Sequence, residues 1–387
     1  MSTAGTARVE AVVDLDAIRH NVRHLAGLAA GAATMAVVKA DGYGHGAVDV
    51  ARAALDAGAT WLGVCTVEEA GELRDAGITA PVLSWLHVPD EDLAPAVGRQ
   101  VDLGVASRRD LAAAVTAAHA TGRPARVHLK IDTGLSRNGC PPADWGDLLD
   151  AVADHPGEVE PVAVWTHLAH ADAPAHPTID RQAARFDEAH AAASARLDRP
   201  LLAHLANSAA TLTRPDLHRD LVRPGIAVYG LDPTDDGVAP ALRPAMTFRS
   251  RVALLKTVAA GEGVSYGHIW TTPTDRTLAL VPAGYADGVP RLLGAAGRLE
   301  VAIGGVRRPV VGRVCMDQVM VDLGPAGEPH GVAEGDEVVL FGPDDGGPTA
   351  AEWAGLLGTI HYEIVTGVGG RPRVRRSLTG AAGQLTA

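Results

Sequence analysis

Cysteine is scarce in this sequence. The only three, Cys65, Cys140 and Cys315, are far apart. An odd number of cysteines at such spacing excludes a disulfide framework and a CxxC zinc pattern. Scarce, unpaired cysteine is typical of proteins from a reducing compartment, so we expect a cytoplasmic protein.

Long apolar stretches are also missing. The longest uncharged, mostly apolar run covers residues 25–38, whereas a helix that spans a bilayer needs roughly 20 residues. Near the N-terminus, Arg8, Glu10, Asp14 and Asp16 interrupt any apolar segment of the kind found in a signal peptide. The sequence therefore predicts neither a membrane protein nor a secreted one.

Positive charge is in deficit. The 34 Lys and Arg residues are outnumbered by 46 Asp and Glu residues, which gives a formal net charge of −12. A chain this acidic repels a phosphate backbone, so we expect no nucleic-acid partner. The hydrophobic fraction of 47% is ample for a large core and excludes a disordered chain.

The first 230 residues alternate between short apolar runs and longer stretches with helical spacing. Many of the runs are continuously apolar, which is typical of strands buried on both faces. Eight such units in tandem predict a (β/α)8 barrel rather than an open doubly wound sheet. The strand-like runs are 35–40, 61–66, 81–85, 101–107, 125–132, 161–168, 201–207 and 226–229, and the helix candidates include 46–57, 67–76, 108–121 and 177–197.

The composition changes near residues 232–243, which are typical of a linker. Beyond it, short strands and crowded glycine turns predict a mostly β domain, interrupted by a helix over 349–357 that Thr349 and Glu352 begin as a capping box. We therefore predict an α/β chain with a barrel over residues 10–238 and a β domain over 239–377. The opening run 9–15 alternates like a strand and could join either domain.

Chemistry in such barrels lies at the C-terminal ends of the strands, and Lys39 ends one of the predicted strands. A lysine there is costly unless it has a covalent or ionic partner. An amine in a low-dielectric pocket has a lowered pKa and can attack a carbonyl, as Schiff-base lysines do. From the residues alone, this interpretation and a lysine paired with a carboxylate stay equally open.

The segment around Lys39 closely resembles the pyridoxal-phosphate lysine motif of bacterial alanine racemases. Eight further motifs match that family in the same order and span nearly the whole chain. The nine motifs are VVKADGYGHG (37–46), KIDTGLSRNG (130–139), WTHLAHAD (165–172), ANS (206–208), VRPGIAVYG (222–230), VSYG (264–267), GYADG (284–288), VCMDQ (314–318) and YEI (362–364). The resemblance implies an N-terminal barrel, a C-terminal β domain and a homodimer with shared active sites.

The resemblance also implies which residues carry out catalysis. Lys39 would bind the cofactor covalently and act as the base on one face of the substrate α-carbon, and Tyr266 of the other subunit would act on the opposite face. A free phenol titrates near pH 10, so positive charge must assist Tyr266, and the resemblance assigns that task to His167. Arg223 would face the pyridine nitrogen, with His204 orienting it. Because an arginine keeps its proton, the ring nitrogen stays unprotonated and the ring is a weaker electron sink.

The remaining site residues are also implied by the resemblance. The phosphate would be held by few cations and mainly by oriented dipoles, for which backbone N–H groups at glycine turns are suited. The predicted phosphate ligands are Tyr43, Ser208, Gly225, Ile226 and Tyr362. Arg137 and the Met316 backbone would bind the substrate carboxylate, and Tyr285 would line the entrance together with Tyr362.

The modification state of Lys130 stays open, and a cluster of histidines raises the question of a metal site. In the family, the lysine corresponding to Lys130 is often carbamylated, and the alternative here is an ion pair with Asp132. The cluster His167, His170, Asp172 and His176 matches no zinc spacing, and prolines break the segment, so we expect no metal.

Together these features predict a PLP-dependent racemase that converts L-alanine to D-alanine and supplies it for peptidoglycan. Two alternatives stay open: a broad-specificity or serine racemase and, less favoured, a PLP-dependent decarboxylase of the same fold. The decarboxylases resemble this layout but use an acidic partner at the pyridine nitrogen and a cysteine at the far face, and Arg223 and Tyr266 argue against both features.

Overall fold

The chain forms a barrel unit and a β unit. In the computed structural model, the described residues are 7–234, 241–295, 297–343, 346–369 and 374–378. The barrel unit comprises Ile18–Gly42 and Gly46–Leu242, and the β unit comprises the described residues of Met1–Ala17, Tyr43–His45 and Arg243–Ala387. The boundary predicted between residues 238 and 239 lies outside the described residues, as do residues 235–240 of the predicted linker.

Within the described residues, the barrel unit contains eight parallel strands in a nearly closed sheet. β1 (Val9–Asp14) belongs to the β unit. The barrel strands are β2 (Ala33–Val37), β3 (Trp61–Val64), β4 (Val82–Ser84), β5 (Asp102–Val105), β6 (Ala125–Lys130), β7 (Val159–Trp165), β8 (Leu202–His204) and β9 (Leu221–Val222). The sheet order is β8-β7-β6-β5-β4-β3-β2-β9, and beside the gap between β8 and β9 the Asp220 N–H donates to Ala203 O at 3.1 Å.

Helices alternate with these strands, because each pair of parallel neighbours is joined by a crossover connection, which is nearly always right-handed. They are α1 (Leu15–Leu28), α2 (Lys39–Tyr43), α3 (Ala47–Asp56), α4 (Val67–Asp75), α5 (Ala94–Gly98), α6 (Arg108–Thr121), α7 (Trp145–Ala153), α8 (Thr178–Arg196) and α9 (Ser208–Thr213). The predicted barrel class is confirmed, and the four predicted helices occur within a residue of their expected bounds.

One predicted strand is wrong. Residues 226–229 form a 3-10 helix (Ile226–Tyr229), and the eighth strand is the two-residue β9 before Arg223. The apolar run misled because all four side chains of Ile226–Tyr229 are buried, and burial in a short run does not distinguish a strand from a helical turn. Arg223 consequently follows the last barrel strand instead of preceding it.

The β unit is built on a mostly antiparallel nine-stranded sheet in the described part of the chain. Its strands beyond β1 are β10 (Met246–Arg251), β11 (Leu254–Val258), β12 (Gly263–Val264), β13 (Trp270–Thr271), β14 (Arg276–Val281), β15 (Glu300–Ile303), β16 (Val306–Val311), β17 (Val319–Pro325), β18 (Glu337–Phe341) and β19 (Val374–Leu378), of which β12 and β13 form a separate pair. β1 pairs antiparallel with β10, so the opening strand lies in this unit.

In the described part of the β unit, three helices accompany the strands where one was expected: α10 (Arg291–Ala295), α11 (Ala350–Leu357) and α12 (His361–Gly367). The capping box predicted at Thr349 and Glu352 is confirmed, since each residue's side chain accepts the other's backbone N–H. The core of the unit contains the buried ring of Phe341, whose centroid lies 5.5 Å from that of Phe248 and 5.1 Å from that of Trp353. Among the described residues, no helix combines the length and apolar composition that crossing a bilayer requires.

Glycines make room for an indole inside the barrel unit. A Cβ at Gly104 of β5 would lie 2.9 Å from Trp85 Cα and Cβ, and one at Gly63 of β3 would lie 2.8 Å from the Trp85 ring. The Trp85 ring in turn lies 5.9 Å from that of Trp165 at the end of β7. Only glycine at these positions lets Trp85 lie between its neighbouring strands.

We expect Gly104→Ala to destabilise the protein by about 1–3 kcal/mol, because the added methyl group would overlap backbone and not a flexible side-chain end. Gly146→Ala in α7 is the matched control, since nothing lies within 4 Å of a Cβ there and alanine is the better helix former. Thermal unfolding followed by circular dichroism measures both variants. Equal melting temperatures for the two would contradict the packing argument.

Candidate active site

Lys39 begins a strained turn directly after β2. The backbone of the next residues is left-handed, with φ of 52° at Ala40 and 51° at Asp41. For non-glycine residues this conformation costs roughly 1–2 kcal/mol each. Hydrogen bonds offset the cost: the Ala40 N–H donates to Glu69 Oε1 at 2.6 Å, and the Ala47 N–H donates to Asp41 Oδ1 at 2.8 Å. The surrounding structure thus holds the backbone after Lys39 in one shape.

Arg223 buries a positive charge in the barrel unit. It is 5% exposed; Nη1 donates to His204 Nδ1 at 3.1 Å, and Nη2 donates to Thr166 O at 2.8 Å. Burial lowers the pKa of Arg223 to about 9, which still leaves the guanidinium charged at neutral pH. No carboxylate of the described residues forms an ion pair with it. A buried cation without an anionic partner favours a bound group that supplies a hydrogen-bond acceptor.

Lys130 ends β6 next to this arginine. Its Nζ lies 4.3 Å from the centroid of the Trp165 ring, and Arg223 Cζ lies 5.0 Å from the same centroid. Burial, followed by the charges of Arg223 and Arg137, lowers the pKa of Lys130 to about 7. At neutral pH a large fraction of this amine is therefore unprotonated.

His167 follows β7 and is neutral at pH 7. Burial lowers the pKa of its imidazole well below the usual value, and four nearby cations lower it further. These cations are Arg223, Arg137, Lys130 and Lys39. Because the field of each cation reaches the same imidazole, this end of the barrel unit is an electropositive pocket that attracts an anionic ligand.

The loop that carries Arg137 is folded by Asp132. Asp132 Oδ1 accepts hydrogen bonds from the backbone N–H groups of residues 134–136 at 2.9–3.1 Å. The loop is closed where the Cys140 N–H donates to Lys130 O at 2.7 Å. Asp132, the partner considered above for Lys130, thus uses its carboxylate to shape this loop, and the Arg137 side chain remains exposed.

Ser208 and the turn after Arg223 form a cradle of N–H groups. Ser208 begins α9, and its Oγ accepts the Gly225 N–H at 2.8 Å and the Ala227 N–H at 3.3 Å. Asn207 caps the same helix, with Oδ1 accepting the Ala210 N–H at 3.1 Å. Backbone N–H groups gathered around a hydroxyl are suited to bind a phosphate.

Tyr266 lies on a tightly packed loop of the β unit, and its side chain is 72% exposed. Ser265 precedes it with φ of 64°, and Ser265 Oγ donates to Arg313 O at 2.8 Å. A Cβ at Gly312 would lie 2.8 Å from Ser265 Cβ. The loop is therefore held firmly, although the phenol itself is mostly exposed.

Tyr285 and Met316 lie close to the same loop of the β unit. The Tyr285 N–H donates to Cys315 O at 3.0 Å, and Cys315 Sγ lies 3.2 Å from Ser265 Oγ. A cleft of about 420 Å³ is lined by Ser265, Tyr266, Cys315 and Gln318 among others. Tyr285 and Met316 are 42% and 49% exposed.

The two tyrosines predicted as phosphate ligands form a second group in the β unit. The rings of Tyr43 and Tyr362 lie 6.2 Å apart between centroids. A Cβ at Gly44, where φ is 80°, would lie 2.5 Å from Val365 O, so the residue after Tyr43 packs directly against the backbone of α12. Glycine at position 44 is what allows this approach.

The histidine cluster weighed as a metal site has other contacts. The His170 and His176 rings stack with centroids 3.9 Å apart, and His176 Nδ1 accepts the Thr178 N–H at 3.2 Å. In the part of the chain that the structure describes, no group of three or more His, Cys, Asp or Glu side chains is arranged to hold a metal ion.

The sequence analysis did not single out two buried polar residues that are linked to His204 by hydrogen bonds. His128 lies inside β6, where it contacts His204, and Asp102 begins β5, where it contacts His128. The sequence signal that could have identified each of them is an ionisable residue within an otherwise mostly apolar strand.

Two protein-family models match the chain. The model described as "Alanine racemase, N-terminal domain" matches residues 13–233, and "Alanine racemase, C-terminal domain" matches residues 245–377. The curated alanine racemase of Mycobacterium avium (strain 104) is 57% identical over 365 residues, which cover 94% of this chain and 93% of the relative. That of Mycobacterium tuberculosis (strain CDC 1551 / Oshkosh) is 55% identical over 365 residues, with 94% of each chain covered.

Solved structures give the same result. Alanine racemase from D-cycloserine-producing Streptomyces lavendulae superposes with a TM-score of 0.92 at 49% identity, covering 97% of this chain and 98% of that one. Alanine racemase from Bacillus anthracis with bound L-Ala-P has a TM-score of 0.88 at 36% identity, covering 98% and 97%.

The pKa of Lys130 can be tested chemically. The sequence contains three lysines, Lys39, Lys130 and Lys256. We expect cyanate, which reacts only with the unprotonated amine, to modify Lys130 of the cofactor-free protein with a midpoint near pH 7 because burial and the nearby arginines disfavour the ammonium. Exposed Lys256 is the internal control, and peptide mass spectrometry reads both sites. A Lys130 midpoint equal to that of Lys256 would show that the ammonium is not destabilised.

Proposed function

The chain belongs to the alanine racemase family, and from this premise we propose that it interconverts L-alanine and D-alanine with pyridoxal 5'-phosphate as its cofactor. The name shared by its relatives makes it an isomerase. The observation that carries the cofactor proposal is Arg223, a buried charged donor without a carboxylate partner among the described residues. The same barrel unit contains Lys39 and the N–H groups gathered at Ser208 Oγ.

The residues at the barrel mouth fit the chemical parts of this cofactor. When bound, it supplies an electron sink that acidifies the α-proton of an attached amino acid. Lys39 would hold it through its amine, while Ser208 and the backbone N–H groups of Gly225 and Ile226 would bind the phosphate, the Gly225 N–H exchanging Ser208 Oγ for a phosphate oxygen. Tyr43 and Tyr362 would contribute their hydroxyls to the same phosphate, for which their neighbouring rings are suited.

Arg223 would donate a hydrogen bond to the pyridine nitrogen. Since the guanidinium stays charged at neutral pH, it has no proton to give up and the nitrogen stays unprotonated. The resulting electron sink is weak, which favours prompt return of the proton over side reactions. His204 and Thr166 O support this role because they hold the guanidinium from behind.

Racemisation needs two bases because the α-proton leaves one face and returns on the other. In our proposal, Tyr266 Oη removes the proton of L-alanine, and Lys39 Nζ delivers a proton to the opposite face to give D-alanine. The 72% exposure of Tyr266 supports its assignment to the site of a second subunit, since the phenol is not enclosed by its own unit.

The positive charge that assists Tyr266 would come from arginine. The resemblance assigns this task to His167, but burial, followed by the charges of Arg223 and Arg137, keeps the pKa of this imidazole well below its usual value, so we propose an arginine instead. A neutral His167 can still exchange a hydrogen bond with the phenol, while Arg137 supplies charge. Arg137 and the Met316 N–H would bind the substrate carboxylate, with Tyr285 at the entrance.

Lys130 is suited to carbamylation. Its pKa of about 7 provides the unprotonated amine that reacts with carbon dioxide. The product is an anion, and it would replace repulsion of Arg223 and Arg137 by attraction. We propose that Lys130 carries this modification in the cell.

The proposal extends to assembly and cellular role. We propose that the protein is a homodimer with shared active sites and that it is located in the cytoplasm. There it would supply D-alanine for peptidoglycan. The three cysteines of the described chain, Cys65, Cys140 and Cys315, are unpaired, which suits a reducing compartment.

A racemisation assay over a panel of L-amino acids, with and without added PLP, tests the function. We expect L-alanine to be the preferred substrate and activity to require PLP. Borohydride treatment of the loaded protein should attach the cofactor to Lys39, and the peptides of Lys130 and Lys256 serve as controls. Preference for serine would favour the broad-specificity alternative, and labelling of another lysine would refute the cofactor assignment.

Replacing Tyr266 by Phe removes one base and leaves the other. We expect α-proton exchange from L-alanine in D2O to fall by about 10²–10⁴-fold, the usual contribution of a general base, and exchange from D-alanine to fall far less. Proton NMR of the two substrates measures both rates. An equal loss from both enantiomers would mean that Tyr266 does not act on one face.

Mixing two inactive variants tests the shared site. Lys39→Ala and Tyr266→Phe subunits, allowed to exchange, should form heterodimers in which one site carries both defects and the other carries neither. Random mixing makes about half the dimers heterodimers, so roughly a quarter of wild-type activity should return. Co-purification of differently tagged chains controls for exchange. An exchanged mixture that stays inactive would mean that each site is built within one chain.

A further inference from the structure

A line of buried polar side chains runs through the interior of the barrel unit. Arg223 Nη1 lies 3.1 Å from His204 Nδ1, His204 Nε2 lies 2.9 Å from His128 Nδ1, and His128 Nε2 lies 3.2 Å from Asp102 Oδ2. Both histidines are fully buried, and Asp102 is 1% exposed. Apolar branched side chains dominate the interiors of such barrels, and buried polar groups are costly unless every one is satisfied. A continuous polar line here therefore calls for a reason.

The hydrogen positions in this line follow from its two ends. Arg223 can only donate, so His204 Nδ1 must accept, and a neutral His204 then has its proton on Nε2. His204 Nε2 donates to His128 Nδ1, which leaves the His128 proton on Nε2, directed at Asp102. A doubly protonated His128 would need His204 without any ring proton. Both imidazoles are therefore neutral Nε2–H tautomers, and every donor meets an acceptor.

Asp102 is suited to end the line as an ionised acceptor. The hydrogen bond from His128 and the hydrogen-bonded charge of Arg126 both favour the ionised carboxylate. Arg126 Nε donates to Asp102 Oδ1 at 2.8 Å and Arg126 Nη2 donates to Oδ2 at 3.4 Å, so Oδ2 accepts from both His128 and Arg126. Arg126 also pairs with Glu160, which is partly exposed.

We propose that Asp102 and His128 are positioning residues that hold His204 in its neutral Nε2–H tautomer and thereby fix the orientation of Arg223. The proposal rests on the proposed function, since it assigns Arg223 its task at the pyridine nitrogen. In the other tautomer, His204 Nδ1–H would face the Arg223 N–H, and donor would meet donor. The guanidinium would then lose its hydrogen bond to His204, while those to Thr166 O and Leu205 O remain.

The neighbouring rings also suit a neutral pair of imidazoles. The Trp165 ring stacks on His204 at 5.6 Å with an interplanar angle of 7°, and Trp61 meets His128 edge-on at 5.3 Å. The β6–β7 pairing carries a register shift between Val127 and His128, an irregularity of the kind that re-aims side chains. Of the four side chains of the line, Arg223 and Asp102 are then the two charged ones.

Neutron diffraction from crystals of the cofactor-loaded protein, exchanged into D2O, locates the deuterons directly. We expect one ring deuteron on each of His128 and His204, both on Nε2. A deuteron on His204 Nδ1, or two on His128, overturns the proposal. This readout does not depend on turnover: if the protein failed to racemise alanine, the proposed function would fall while the tautomers could still be read.

Asp102→Asn should reverse the direction of the hydrogen bonds along the line. Because Arg126 can only donate and its Nε makes the shortest contact, 2.8 Å to Oδ1, the amide oxygen takes that position. The amide nitrogen then donates to His128, which moves both imidazole protons to Nδ1. We expect kcat to fall at least about tenfold, as for one unsatisfied hydrogen bond to a charged group, with KM for alanine changed less than about twofold. Glu160→Gln is the matched control, since it leaves both donors of Asp102 in place, and its kcat should stay near that of the wild type.

A double variant separates positioning from mere packing. In Asp102→Asn with Arg126→Met, the amide oxygen is free to accept from His128, so the Nε2–H tautomers and part of kcat should return. A purely structural role predicts the double variant to be less stable and no more active than Asp102→Asn. That result, or wild-type kcat in Asp102→Asn, would overturn the proposal.

Discussion

The charge of Arg223 is the constraint on which the site depends. A guanidinium buried in the barrel unit without a carboxylate partner among the described residues must be satisfied by neutral acceptors, and Thr166 O and His204 Nδ1 provide them. After burial, the same charge is the largest cause of the low pKa of both His167 and Lys130. One arginine thus sets the protonation of its neighbours and leaves donors for a ligand.

The barrel strands bring the site residues together, and the loops after them are shaped by side chains that bind no ligand in our proposal. Asp132 folds the loop of Arg137, Asn207 caps the helix of Ser208, and Glu69 holds the turn after Lys39. Such local hydrogen bonds place ligand-binding groups accurately on otherwise irregular backbone. The strain after Lys39 fits this arrangement, since left-handed residues persist only where the surroundings determine them.

Much of the fold could be predicted because local sequence patterns, such as helical spacing and capping residues, determine the elements that form it. Helix α6 has the bounds expected from its spacing, and the capping box at Thr349 has the expected reciprocal bonds. The eighth strand could not be placed, because β9 has only two residues and the more apolar run after it forms a 3-10 helix. His128 and Asp102 escaped attention because a single polar residue in an apolar strand does not reveal which residue of another strand it contacts.

The sequence by itself determined the family, the barrel class and the identity of the candidate residues, because these depend on motif order and periodicity along the chain. Only the tertiary structure decided how those residues are charged. Lys130, His167 and Arg223 are far apart in sequence, and the fields that shift their pKa values act through space over distances that only the folded barrel unit sets. The tautomers of His128 and His204 likewise follow from contacts across strands, which no local pattern encodes.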